Sequence, residues 1–163
     1  PVLPGSPPIA IRTETRSNSW SDVAEPPITS EEFETRLLAI CTGGGGPGLP
    51  RRQRDVAVIM ASATFWMEPG SLYTENEINQ GLEEWLRKVC PSLGVDKVTL
   101  RRELIDRNYL TRDDSGTSYA PGPGPVEWRF EDGVAGIDSE AVMTGAVEAR
   151  EARKRAYQAR SSP

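Results

Sequence analysis

The sequence predicts a mainly α-helical fold closed by a small β-hairpin (α+β), on three observations. Residues 74–90 open on Thr74-Glu75-Asn76-Glu77 and then place Ile78, Leu82, Trp85, Leu86 and Val89 at helical spacing. Residues 96–108 do the same over a shorter length, with Asp96 ahead of Val98, Leu100, Leu104 and Ile105. Directly after them, Asn108-Tyr109-Leu110-Thr111-Arg112, the turn residues Asp113-Asp114-Ser115-Gly116 and then Thr117-Ser118-Tyr119 read as two short strands about a polar turn.

Each element has a local cause. Thr74 and Glu77 form a capping box, in which each side chain answers the other's backbone N–H, and Tyr73 and Ile78 sit where a hydrophobic staple forms. Pro91-Ser92-Leu93-Gly94 breaks this helix and leads to Asp96, whose carboxylate can cap the next one. On that second helix Thr99, Arg102, Glu103, Asp106 and Arg107 share the outward arc. Arg101 falls inside the apolar arc and must snorkel out or find a carboxylate. Upstream, residues 53–67 carry Val56, Ile59, Met60, Ala63, Trp66 and Met67 at helical spacing and read as a helix. Pro69-Gly70 then turns the chain into Ser71-Leu72-Tyr73, long enough for one short strand.

The flanks are different in character. Residues 1–28 hold Pro4, Pro7, Pro8, Pro26 and Pro27 without periodicity and read as a flexible tail, with Ile9-Ala10-Ile11 and Trp20 as its apolar points. Residues 29–48 combine a helix, opening at Thr29 or Ser30 with Phe33, Leu37, Leu38 and Ile40 on its apolar face, and a linker, Gly43-Gly44-Gly45-Gly46-Pro47-Gly48. No Gly-Lys-Ser/Thr follows those glycines, so they are read as a linker rather than a phosphate cradle. Residues 121–137 pair a Pro/Gly linker with an alternating strip, Val126-Glu127-Trp128-Arg129-Phe130. Residues 138–163 read as a C-terminal helix with a basic end, Arg150, Arg153, Lys154, Arg155 and Arg160. Those cations complement a helix C-terminus or form a basic arm.

Residues 49–120 thus arrange helix, short strand, helix, turn, helix and hairpin, the order of a winged helix-turn-helix core. This stretch resembles a bacterial domain-of-unknown-function family, DUF2087. The resemblance rests on Leu49-Pro50-Arg51-Arg52, Leu72-Tyr73-Thr74-Glu75-Asn76-Glu77-Ile78-Asn79, Asp96-Lys97-Val98-Thr99-Leu100-Arg101-Arg102-Glu103-Leu104, Leu110-Thr111-Arg112 and Gly116-Thr117-Ser118-Tyr119. Lys97 stands where many members carry His. The resemblance implies a winged-helix domain of the kind often found in proteins labelled as transcriptional regulators, and it brings no established biochemical activity.

Composition bounds the function. The 163 residues carry 19 basic and 24 acidic side chains, a net charge of −5. Residues 50–120 hold ten basic and eleven acidic groups, so any polyanion must be held by local patches rather than by overall charge. The chain has no His, which removes the usual general base and zinc ligand. Cys41 and Cys90 stand on helices separated by a linker, with nothing pointing to secretion, so two free thiols are expected rather than a disulfide. Glu83-Glu84 and Asp113-Asp114 are expected to be solvated, and no Gly-x-Ser-x-Gly occurs. No cofactor, metal or enzymatic activity is expected. Pro1 is accounted for by methionine removal, by a fragment boundary or by signal cleavage; the absence of a long apolar run predicts no membrane span, and a cytoplasmic location is expected.

The expected function is a non-enzymatic DNA-binding module of a bacterial transcriptional regulator, with double-stranded DNA as partner. In a helix-turn-helix the second helix enters the major groove. Lys97, Thr99 and Arg102 are then the base-facing candidates. Arg51, Arg52 and Arg54 at a helix entrance and Arg112 on the wing are the phosphate candidates. Glu103 and Asp106 on the same face oppose phosphate, and they keep a second reading open, a winged-helix module that binds a protein partner.

Overall fold

The computed structural model describes residues 25–43 and 45–162. The part of the tail carrying Ile9-Ala10-Ile11 and Trp20 lies outside them. The helices are α1 (Ser30–Thr42), α2 (Gln53–Thr64), α3 (Glu75–Lys88), α4 (Lys97–Asp106) and α5 (Ser139–Ser161). One antiparallel hairpin pairs β1 (Leu110–Arg112) with β2 (Tyr119–Pro121). Tyr73 meets Tyr119 through two backbone hydrogen bonds of 2.8 Å, which supplies the short first strand of a winged helix. The sequence α2, Tyr73, α3, α4, β1, β2 is therefore a winged helix-turn-helix, and the fold is mainly α with a small wing.

Local chemistry sets these boundaries. The Thr74–Glu77 capping box forms in both directions. Asp96 caps α4 by accepting from the Thr99 amide at 2.7 Å. Two residues past the end of α4 stands Asn108, the only non-glycine residue with positive φ (63°) among the described residues; Tyr109 N–H then returns to Leu104 O at 2.9 Å. Asn tolerates the left-handed conformation and closes the helix there. This is why β1 begins at Leu110 rather than at Asn108. On the other side of the turn the Asp113 carboxylate accepts from the Thr117 and Ser118 amides, at 2.8 and 3.0 Å, and from the Ser115 hydroxyl. Those residues are spent on the turn, so β2 starts at Tyr119. The same hydrogen bonds, Ser115 first, hold the Asp113 carboxyl down at about 2.

One core joins the winged helix to its flanks. Phe33 and Leu37 of α1, Val58 to Met60 of α2, Ile78, Leu82 and Trp85 of α3, Leu100 and Leu104 of α4 and Met143 of α5 are all buried together. Ile28, read with the tail from sequence, is fully buried; its amide bonds Arg129 O and its carbonyl accepts from Glu131, forming a parallel bridge to Phe130. The alternating strip at 126–130 is thus a turn ending in one bridge, not a strand. Phe33, Phe65 and Phe130 stack edge-on and tilted, with centroids 5.6–6.3 Å apart. Helix α2 stops at Thr64, three residues short of the expected end, and Trp66 lies beyond it with 39% of its surface exposed. The second half of α5 is exposed on every side. Among the described residues no helix is long and apolar enough to cross a membrane.

The expectation of two free thiols is overturned. Cys41 at the end of α1 and Cys90 just after α3 form a disulfide, with Cα atoms 4.8 Å apart. The glycine-rich segment turns back: Gly48 N–H bonds Leu93 O at 2.7 Å, and Pro47 lies against Gly94. Ser92 Oγ donates to Cys41 O at 2.9 Å. The chain that separates the two cysteines in sequence is what folds them together.

Candidate nucleic-acid interface

Helix α4 is held against α3 by Leu100 and Leu104, and by Arg101 from beneath. The Arg101 guanidinium donates to Glu75 Oε1 at 2.9 Å and Asn79 Oδ1 at 2.6 Å, and lies 5.9 Å from the Tyr119 ring centroid. It therefore ties α4 to α3 and to β2, the carboxylate-partnered role the helical wheel requires of it. Arg101→Ala is expected to destabilise the protein by about 1–2 kcal/mol, the worth of a charged hydrogen bond to a partly exposed partner. Arg102→Ala should leave the thermal midpoint within experimental error. Equal midpoints for the two variants contradict these assignments.

The outward face carries Thr99, Arg102 and Asp106, all exposed. No hydrogen bond or ion pair engages Arg102 among the described residues. Glu103, expected to repel phosphate, is instead bonded by Arg107 Nε at 3.1 Å, while the other arm of Arg107 donates to Gln53 Oε1 at 3.1 Å. This link brings the entrance of α2, with exposed Arg51 and Arg52 just before Gln53, to the C-terminal end of α4. Arg112 is exposed at the end of β1, its side chain lying over Gly116 in the wing turn.

Two of the candidates are placed elsewhere. Lys97 Nζ bonds Glu83 Oε2 of α3 at 2.6 Å, so its charge is already answered, although both side chains remain solvated. Arg54 does not face solvent with Arg51 and Arg52. It donates to Glu32 of α1, with Nη2 to Oε2 at 2.7 Å, and to Pro26 O at 3.0 Å. Arg36 completes the cluster by bonding both Glu32 and Asp55. An arginine early in a helix, unfavourable to the dipole, is explained by this partner on another helix.

The hydrogen bond from Arg54, aided by Arg36 and opposed by desolvation, lowers the Glu32 carboxyl from 4.5 to about 2. A carboxyl depressed on folding stabilises fully above its unfolded value and loses that contribution as pH falls from about 4.5 towards 2. Glu32 is about a quarter exposed, so the contribution is reduced by screening to about 1–2 kcal/mol. Glu32→Gln should lower the melting temperature at neutral pH and flatten its decline below pH 4.5. An unchanged acid limb contradicts a role for this cluster.

Fold and surface together define a winged-helix domain with an arginine-bearing outer helix, wing and helix entrance. The family model described as "Uncharacterized protein conserved in bacteria (DUF2087)" matches residues 48–120. The resemblance carried by the motifs is thus confirmed for that segment, which is the winged helix itself. No curated protein matches the chain, and no solved structure matches it.

Proposed function

We propose that this chain is a non-enzymatic, DNA-binding winged-helix module of a bacterial transcriptional regulator, working in the cytoplasm. The observation that carries the reading is the exposed Arg102, without a partner among the described residues, at the centre of the outer face of α4, together with Arg112 on the wing and Arg51 and Arg52 beside the C-terminal end of that helix. Arg102 and Thr99 face the bases; Arg51, Arg52 and Arg112 hold phosphates. Lys97 joins them only by exchanging Glu83 for a phosphate, an exchange that a solvated ion pair allows at little cost. Arg54 has no part in it.

The pairing of Lys97 and the exposed Asp106 favour the second reading, a module that docks on a protein partner of mixed charge. Binding to a pool of random-sequence duplexes at low salt separates the two. Saturable binding that Arg102→Ala weakens and Arg54→Ala does not supports DNA. Absence of binding leaves the protein partner.

A further inference from the structure

A cleft of about 690 Å³ lies on a different part of the molecule, bounded by α2, α3 and the entrance of α5. We infer that it is a binding site for an organic cation, a quaternary ammonium or protonated amine on an apolar body. Its volume falls in the range of small-molecule sites.

The walls are aromatic. Trp66 and Tyr73 meet edge to face, with centroids 5.5 Å apart and planes at 73°, forming a corner. The Trp66 indole N–H donates to Ala63 O at 2.8 Å, and the Tyr73 hydroxyl oxygen accepts from Glu68 N–H at 2.8 Å. Trp85 forms the floor, with its N–H on Ser62 Oγ at 2.9 Å and Ser62 Oγ in turn 2.7 Å from Ser139 Oγ. With both indole N–H groups satisfied internally, the tryptophan rings present π-surface rather than donors.

Gly81 fixes the Trp66 platform. A β-carbon there would stand 2.2 Å from the Trp66 ring. A glycine inside a helix costs about 1 kcal/mol relative to alanine. Here it lets the indole lie directly on the backbone of α3. One face of the ring is covered in this way, and the residue as a whole stays 39% exposed.

The charge around the cleft is negative. Glu77, Glu84, Asp138 and Glu140 line it, against the single ammonium of Lys88. Lys88 bonds Glu84 Oε1 at 2.8 Å and Glu140 Oε2 at 3.3 Å, leaving the second oxygen of each carboxylate without a partner among the described residues. The N-terminus of α5 also opens here, but the Asp138 carboxylate already accepts from the Ala141 amide at 3.1 Å and Glu140 lies in the first turn. That end is answered by the chain's own acids and does not call for an anion. Aromatic faces under a carboxylate rim select a desolvated cation by its charge and accept its alkyl groups by contact. Choline is the simplest probe of this chemistry.

The test is a ligand-observed NMR titration of the full chain with choline, compared with the neutral isostere in which a tert-butyl group replaces the trimethylammonium. The expected result is saturable choline binding, at least tenfold tighter than that of the isostere. Gly81→Ala, which raises helix propensity while driving the Trp66 ring off its seat, should weaken choline at least fivefold in a protein whose circular dichroism is unchanged. Glu84→Gln should weaken choline and leave the isostere as it was. Equal affinity for the two probes overturns the proposal, as does the absence of saturable choline binding or full affinity in Gly81→Ala. DNA binding enters none of these readouts, so this site and the DNA face stand or fall separately.

Discussion

Reduction of the Cys41–Cys90 bond is expected to remove about 4 kcal/mol of stability at most, the loop-closure entropy of two cysteines 49 residues apart in sequence. For a chain of this size that is a fall in melting temperature of roughly ten degrees. The bond joins the end of α1 to the segment between α3 and α4, so its loss frees the α1 edge from the winged helix before the helix-turn-helix itself opens. Cys41→Ser should reproduce the effect of reductant, and adding reductant to that variant should change nothing further. A wild-type midpoint indifferent to reductant contradicts the pairing. Because α4 is packed from the α3 side and by the wing, the reduced protein should keep the outer face of α4 intact and bind DNA as the oxidised protein does.

The second large effect is on recognition. Arg102→Ala is expected to cost about 1–3 kcal/mol on a preferred site, a five- to two-hundred-fold loss, and to relax preference at the base it faces. Arg51→Ala, Arg52→Ala and Arg112→Ala should instead weaken every sequence alike, each removing about 0.9 from the salt slope. Competition between labelled preferred duplex and random pool distinguishes the two behaviours. A uniform loss for Arg102→Ala would move that residue from the bases to the backbone. Arg54→Ala should act through stability alone, since its guanidinium is held by Glu32 and Pro26.

What could be read from the sequence was what the chain decides over a few residues. The capping box at Thr74, the Asp96 cap and the polar wing turn are each local, and each is where the spacing placed it, while α3 ends at Lys88, two residues before the expected end at Cys90. The helical wheel also separated Arg101 from Arg102 correctly, because adjacent helical positions differ by about 100°. What escaped depends on contacts between distant segments. Ile28 meets Phe130, Arg54 meets Glu32 and Cys41 meets Cys90, and no periodicity within one element announces a partner on another. Trp66 continues the α2 spacing, yet the helix ends before it, at Thr64. The available signal was Gly81, a helix-interior glycine with no turn or cap to explain it.

The central claim is that exposed arginines on α4, the wing and the α2 entrance, without partners among the described residues, make a DNA surface on a chain that is acidic overall. The most direct measurement is the affinity of the purified chain for pooled random duplex across a salt series. Three phosphate-contacting arginines predict weak binding at about 50 mM salt, with log K falling against log salt at a slope of about −2.7. No binding at that salt, or binding whose slope is near zero, contradicts the claim and leaves the winged helix as a protein-docking module.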